Sequence, residues 1–174
     1  CHPFLRDLAR MMGESVCLAT ENNLSVAYID VVEGRHSIIR NMQRIGSAAP
    51  MHCTGIGKIL LMEAQEEKLN RLINERGLER FTKNTITTRE DLIQELAQVR
   101  ARGWAYDNEE CEIGARCIAF PIRNFSGKIV AGFSVTGLTA RMSDSFLNTR
   151  LEMLQQTADA ISRELGYEAV SQEK

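Results

Sequence analysis

The chain has 174 residues, 44% of them hydrophobic, with 21 Lys and Arg against 23 Asp and Glu for a net charge of -2. That length suits one domain, which buries about 70% of the surface its unfolded chain exposes and so supports a real core. The balance of charge lacks the basic footprint of a nucleic-acid-binding domain, so any DNA contact belongs to another part of the protein. No apolar run approaches the roughly 18–20 residues that span a bilayer, and CHPFLRDLARMM has no signal-peptide anatomy. A soluble, cytoplasmic chain with no membrane partner is therefore expected. Five cysteines, Cys1, Cys17, Cys53, Cys111 and Cys117, are an odd number without a C-x-x-C pair. They fit neither a disulfide framework nor a structural zinc site, and are read as reduced thiols.

In chain order, Pro3 in a first turn and Phe4, Leu5, Leu8 and Met12 at helical spacing predict an amphipathic helix ended by Gly13. Strand-like runs follow at 15–20, 24–32 and 37–43, separated by the turn signals Glu21-Asn22-Asn23 and Glu33-Gly34, and read as an antiparallel meander. Residues 46–50 form a loop. Thr54 then caps a helix carrying Ile59, Leu60 and Leu61, and a second helix covers 65–75. Thr88 with Asp91 three residues on resembles a capping box ahead of the stripe Leu92, Leu96 and Val99, and that helix ends before Gly103. Three further strands occupy 104–108, 116–124 and 128–136. The last element is a regular stripe, Leu147, Leu151, Leu154, Ala158, Ile161 and Leu165, read as one helix. It docks either on the same sheet or, helix to helix, on the first helix or a second subunit. The chain starts at Cys1 without Met and runs straight into a helix, so a fragment with its N-terminal portion missing is expected. Six strands with a helical insertion and helices at both ends predict an α+β fold with a largely antiparallel sheet.

Two stretches carry the candidate chemistry. In MHCTGIGK at 51–58 the residues Gly55, Ile56 and Gly57 open a helix, whose free N–H groups attract carboxylate or phosphate. The alternative is that the glycines only allow close helix–strand packing. A Walker loop is excluded, because His52 and Ile59 stand where it needs Gly and Ser or Thr. In DNEECEIGARCIAFP at 107–121 the carboxylates Asp107, Glu109, Glu110 and Glu112 suit acid/base work or hard-metal binding, or else a solvated turn. Strand alternation puts Cys117, Ala119 and Pro121 on one face, and Gly132, Ser134 and Thr136 on one face of the next strand. Small, weakly polar residues there leave room for a ligand and offer it hydroxyls. The other face, Ile118, Phe120, Ile122, Phe133 and Val135, is core. An enzyme using Cys117 as nucleophile needs a base, and His52 alone of the three histidines suits, but acidic neighbours raise a thiol pKa. A zinc site from His52, Cys53 and Cys117 lacks a recognised ligand spacing.

These residues resemble the effector-binding domain of the IclR family of bacterial transcriptional regulators over nearly the whole chain. The resemblance lies in PMHCTGIGKILL, FTKNTITTREDLIQELAQVRARGWAYDNEE and CIAFPIRNFSGKIVAGFSVTG. Its signature runs from Gly103 through Asp107, Glu110, Cys117-Ile118-Ala119 and Ile122 to Asn124, and departs from the family at Arg123. The resemblance implies a GAF-like fold with a buried effector pocket and no cofactor. It also implies a winged helix-turn-helix domain, absent from this chain, that contacts the DNA operator, and assembly as a homodimer or homotetramer. Carried across by position, the ligand contacts fall on Asn41, Gly55, Ile56, Asp107, Ala115, Cys117, Ser134 and Thr136. The expected ligand is a small carboxylate-bearing metabolite seated on the 55–57 amides. The alternative is a small metabolic enzyme built on Cys117 or the acidic run 107–112.

Overall fold

Apolar and small side chains alternate along the strands, so both faces of the sheet are buried and helices cover each. The computed structural model describes residues 1–36 and 44–168. Its strands are β1 (Ser15–Asn22), β2 (Ser25–Val32), β3 (Ala48–Ala49), β4 (Ala105–Asn108), β5 (Ala115–Arg123) and β6 (Ile129–Leu138). They lie in the order β3-β2-β1-β6-β5-β4, each pair antiparallel. Pairing of β1 with β6 joins the two ends of the chain into one sheet. The helices are α1 (His2–Met12), α2 (Gly55–Leu61), α3 (Glu66–Arg76), α4 (Arg89–Arg102), α5 (Asp144–Asn148) and α6 (Leu151–Glu164).

One face packs Leu5 and Leu8 of α1 and Leu154, Ala158 and Ile161 of α6 on Ile118, Phe120, Phe133 and Val135. The other packs α2, α3 and α4 through Ile56, Ile59, Leu69, Leu72, Leu92 and Leu96 on Cys17, Ala19, Ala105 and Ala119. The result is the expected α+β, GAF-like domain. Among the described residues no helix is long and apolar enough to cross a membrane.

Two expectations change, and one falls outside the described residues. The strand expected at 37–43, with Asn41, lies outside the described residues. The expected 46–50 loop contains a short strand: Val26 and Ala27 pair with Ala49 and Ala48, and just beyond them the Tyr28 amide donates to the Ser47 carbonyl at 3.2 Å and the Gly46 amide to the Tyr28 carbonyl at 2.9 Å. The last helix is not continuous. Ser143 caps α5 through the Phe146 amide at 3.2 Å, and the Phe146 carbonyl then accepts from Thr149 Oγ1 and Arg150 Nη1, both at 3.0 Å. Those side-chain bonds compete with the helix ladder and set a break between α5 and α6. The stripe itself docks inward, with Leu147, Leu154 and Ile161 fully buried in the same core.

The first turn falls later than read, with Glu21 and Asn22 still in β1 and Leu24 in the turn rather than in β2. Asn23 and Leu24, between the paired Asn22 and Ser25, both take positive φ (48° and 58°), the two-residue turn that matches strand twist. Thr88 accepts the Asp91 amide at 3.2 Å and caps α4.

Candidate functional site

Sheet register assembles the site. Asp107 of β4 pairs with Cys117 of β5, Cys117 with Thr136 of β6, and Thr136 with Ser15 of β1. The adjacent row runs Ala105, Ala119, Ser134, Cys17. Residues paired across antiparallel strands share a face, so one face carries a carboxyl, two thiols, three hydroxyls and otherwise small side chains. Ala115, opposite Leu138, continues it toward the sheet end. Asp107, Cys117, Ser134, Thr136 and Ser15 are all buried. The expected separation of this face from the Ile118–Phe133 core face holds.

Helix α2 sits directly on these small residues. A Cβ at Gly55 would lie 2.7 Å from Cys117 Sγ and 3.0 Å from Ala119 Cβ, and one at Gly57 2.3 Å from the Met51 carbonyl oxygen. Gly132 faces Ile56 Cγ2 in the same way, at 3.1 Å. Gly55 has no positive φ, so close approach alone demands glycine there. Thr54 caps the helix, accepting from the Gly57 amide at 3.2 Å and donating to the Pro50 carbonyl at 2.6 Å. The Gly57 amide is spent on the Thr54 cap, and both glycines give the start of α2 its close approach to neighbouring groups.

The charged part of the site centres on a residue that sequence reading passed over. Lys58, in the apolar run GIGKILL, is 1% exposed. Its Nζ donates to Glu110 Oε1 at 2.6 Å and to the Tyr106 carbonyl at 2.9 Å, with Glu95 Oε1 at 3.5 Å. Glu110 Oε1 also accepts the Asn108 amide at 3.4 Å. Lys58 and Glu110 thus satisfy the outer edge of β4 and fasten the 109–114 turn to α2. A lysine amid Ile and Leu at helical spacing was the available signal, but its partner lies 52 residues on.

The acidic run divides by burial. Asp107 and Glu110 are buried, and Glu112 is exposed. Asp107 Oδ1 accepts the Glu110 amide at 2.8 Å and the Cys111 amide at 3.4 Å. Burial, with the Glu110 charge adding to it, pushes the Asp107 carboxyl up to about 7 against the help of those amides and Lys58. Burial raises Glu110 as well, opposed chiefly by Lys58.

The thiols are similarly held neutral. Burial first, then Asp107, pushes Cys117 up to about 12. A hydrogen bond with Cys111, then burial, raises Cys53. His52 donates Nε2–H to the Glu79 carbonyl at 2.9 Å, and burial lowers its pKa. Among the described residues no three His, Cys, Asp or Glu side chains are grouped to hold a metal ion. A separate cavity of about 240 Å³ lies beyond the 50–52 segment, lined by Leu24, Met51, His52, Leu72, Arg76 and Phe81 among others. Among the described residues, none of the expected ligand contacts lines it.

A curled antiparallel sheet with a short helix seated on its small-residue, hydroxyl-bearing face defines a GAF-like domain. Residues 1–163 match the sequence profile described as bacterial transcriptional regulator IclR C-terminal. The HTH-type transcriptional regulator XynR of Escherichia coli is 39% identical over 166 residues, 95% of this chain and 66% of that protein. Among solved structures, Thermotoga maritima IclR superposes with a TM-score of 0.88 at 36% identity, covering 95% of this chain and 67% of that one. A double mutant of the PobR inducer-binding domain from Acinetobacter, in complex with 3-hydroxybenzoic acid, gives 0.83 at 26% identity, covering 92% and 94%. The chain belongs to the IclR family, in the C-terminal part of those regulators. It spans between 57% and 66% of the length of curated relatives such as BhcR and XynR.

Arg123, the departure from the family pattern, bonds Glu63 Oε1 at 2.6 Å and the Gly127 carbonyl at 2.7 Å. It ties the β5–β6 hairpin to the residues after α2.

Proposed function

We propose that this chain is the effector-sensing domain of an IclR-type regulator, and that it binds a small carboxylate-bearing metabolite on the face formed by Asp107, Cys117, Ser134 and Thr136. The observation that carries this is the cross-strand register: four strands contribute one carboxyl, two thiols and three hydroxyls to a single buried face beside α2. Gly55, Ile56 and Ala115 border that row. Asn41 is retained as a candidate from the family pattern. The 3-hydroxybenzoic acid held by the PobR domain supports a carboxylate as the ligand class.

In this reading DNA is contacted by a helix-turn-helix domain outside the chain, and the protein works in the cytoplasm as a homodimer or homotetramer. Effector binding changes operator affinity or polymerase recruitment, which requires that the ligand favour one arrangement of the domain over another. Sensing is preferred to catalysis because Cys117 is held as a neutral thiol, and its neighbouring acid opposes the thiolate that a nucleophile requires. Ser134→Ala combined with Thr136→Val should weaken binding of a carboxylate ligand by roughly 1–3 kcal/mol with the fold intact, if those hydroxyls donate to it. Calorimetry with a folded double variant that binds as tightly as the parent would remove both from the site.

A further inference from the structure

The site holds more carboxylate than cation. Lys58 is engaged by Glu110 at 2.6 Å, and Glu95, its more distant contact, is held by Arg102 at 2.8 Å. Those four groups balance in charge, and Asp107 is the acid left over. The groups acting on it are Lys58 from α2, Cys53 from the segment before α2, Glu110 and Cys111 from its own turn, and Cys117 from β5. Lys58 is the one cation among them, and it is already committed. Ser15 and Thr136, in the same row, are neutral hydroxyls. Glu110 Oε2 is itself buried without a partner, so the turn has no spare donor.

A ligand carboxylate placed against an ionised Asp107 would put two like charges together in a buried setting. Two carboxyls so placed do not both stay ionised, and one takes a proton. Asp107 Oδ1 already accepts two amides, which leaves Oδ2 as the oxygen able to carry it.

Resting on the effector reading above, we propose that the site takes up its carboxylate ligand together with one proton, held on Asp107 Oδ2 and donated to the ligand. Asp107 then recognises an ionised carboxylate as a hydrogen-bond donor, and effector affinity becomes a function of pH. The carboxyl of the ligand-free chain lies at about 7, so about half the sites hold the proton at neutrality and the ligand strengthens its hold. Above that value the proton must be taken from solvent.

The test is calorimetry between pH 6 and 9 with acetate, lactate, benzoate and 3-hydroxybenzoate, whose carboxyls are ionised throughout, in two buffers of different ionisation enthalpy. The expected result is uptake of about one proton per ligand and affinity falling about tenfold per pH unit above about 7. Asp107→Asn keeps both the amide-accepting oxygen and a donor, so this variant should show a flat profile. Because the parent alone reports proton uptake, poor folding of the variant leaves the test standing. Binding of equal strength from pH 6 to 9, without buffer-dependent heat, overturns the proton linkage and leaves the effector reading intact. Failure of all four acids to bind at any pH overturns both.

Discussion

Asp107 has consequences for folding as well as for binding. Its carboxyl lies at about 7 in the folded chain against 3.8 for an unperturbed Asp. Between those values the unfolded chain has released the proton while the folded chain keeps it. The folded state then binds more protons, so this group makes stability fall as pH rises from about 4 to about 7, with no further change above. Asp107→Asn removes that slope. Measured by urea unfolding, the variant should gain on the parent across the window by on the order of 1.4 kcal/mol per pH unit. A parent–variant difference equal at pH 4.5 and pH 7.5 would show that Asp107 ionises as freely in the folded chain as outside it. At this scale the sequence was partly legible. Strand alternation is local, so the partition of Cys117, Ser134 and Thr136 from Ile118 and Phe133 could be read directly. The Lys58–Glu110 pair could not, because nothing near either residue specifies a partner in another element.

Helix α2 and the β4–β5 turn are the elements that place the site, and each rests on a contact open to mutation. Gly55→Val would force methyl groups into Cys117 Sγ and Ala119 Cβ, so the expected loss is about 1–3 kcal/mol of stability through overpacking rather than a clean loss of ligand binding. A variant that melts with the parent would mean that α2 can lift from the sheet at little cost. Lys58→Met strands a buried Glu110 and should cost about 3–5 kcal/mol, whereas Lys58→Met with Glu110→Leu should recover much of that by replacing the pair with apolar groups. Equal costs for the single and double variants would assign the loss to the Tyr106 carbonyl instead of the ion pair. Element boundaries were legible where a capping residue announces them, as at Thr54, Thr88 and Gly103. They were hidden where side chains intervene, since the bonds of Thr149 and Arg150 to the Phe146 carbonyl break a stripe whose apolar spacing is unbroken.

For the whole molecule, pairing of β1 with β6 makes the sheet depend on both ends of the chain, and the terminal helices α1 and α6 cover the same sheet face. The apolar stripe of α6 was legible, but what it packs on was not, because spacing defines a face and not its partner. Leu154 has no solvent exposure and lies with Phe120, Phe133, Leu5 and Leu8 in one cluster. Leu154→Glu therefore removes a buried apolar side chain and puts an unpaired carboxyl in its place, and both changes act on the folded monomer. The expected outcome is loss of the sheet's circular dichroism and a low, broad thermal transition, with any change in assembly following from unfolding. Leu165, 39% exposed just beyond α6, provides the contrast: Leu165→Glu should leave the melting temperature near that of the parent. If Leu154→Glu stayed folded and only lowered the mass in sedimentation, α6 would be an interface helix, and its inward docking would not describe the protein in solution.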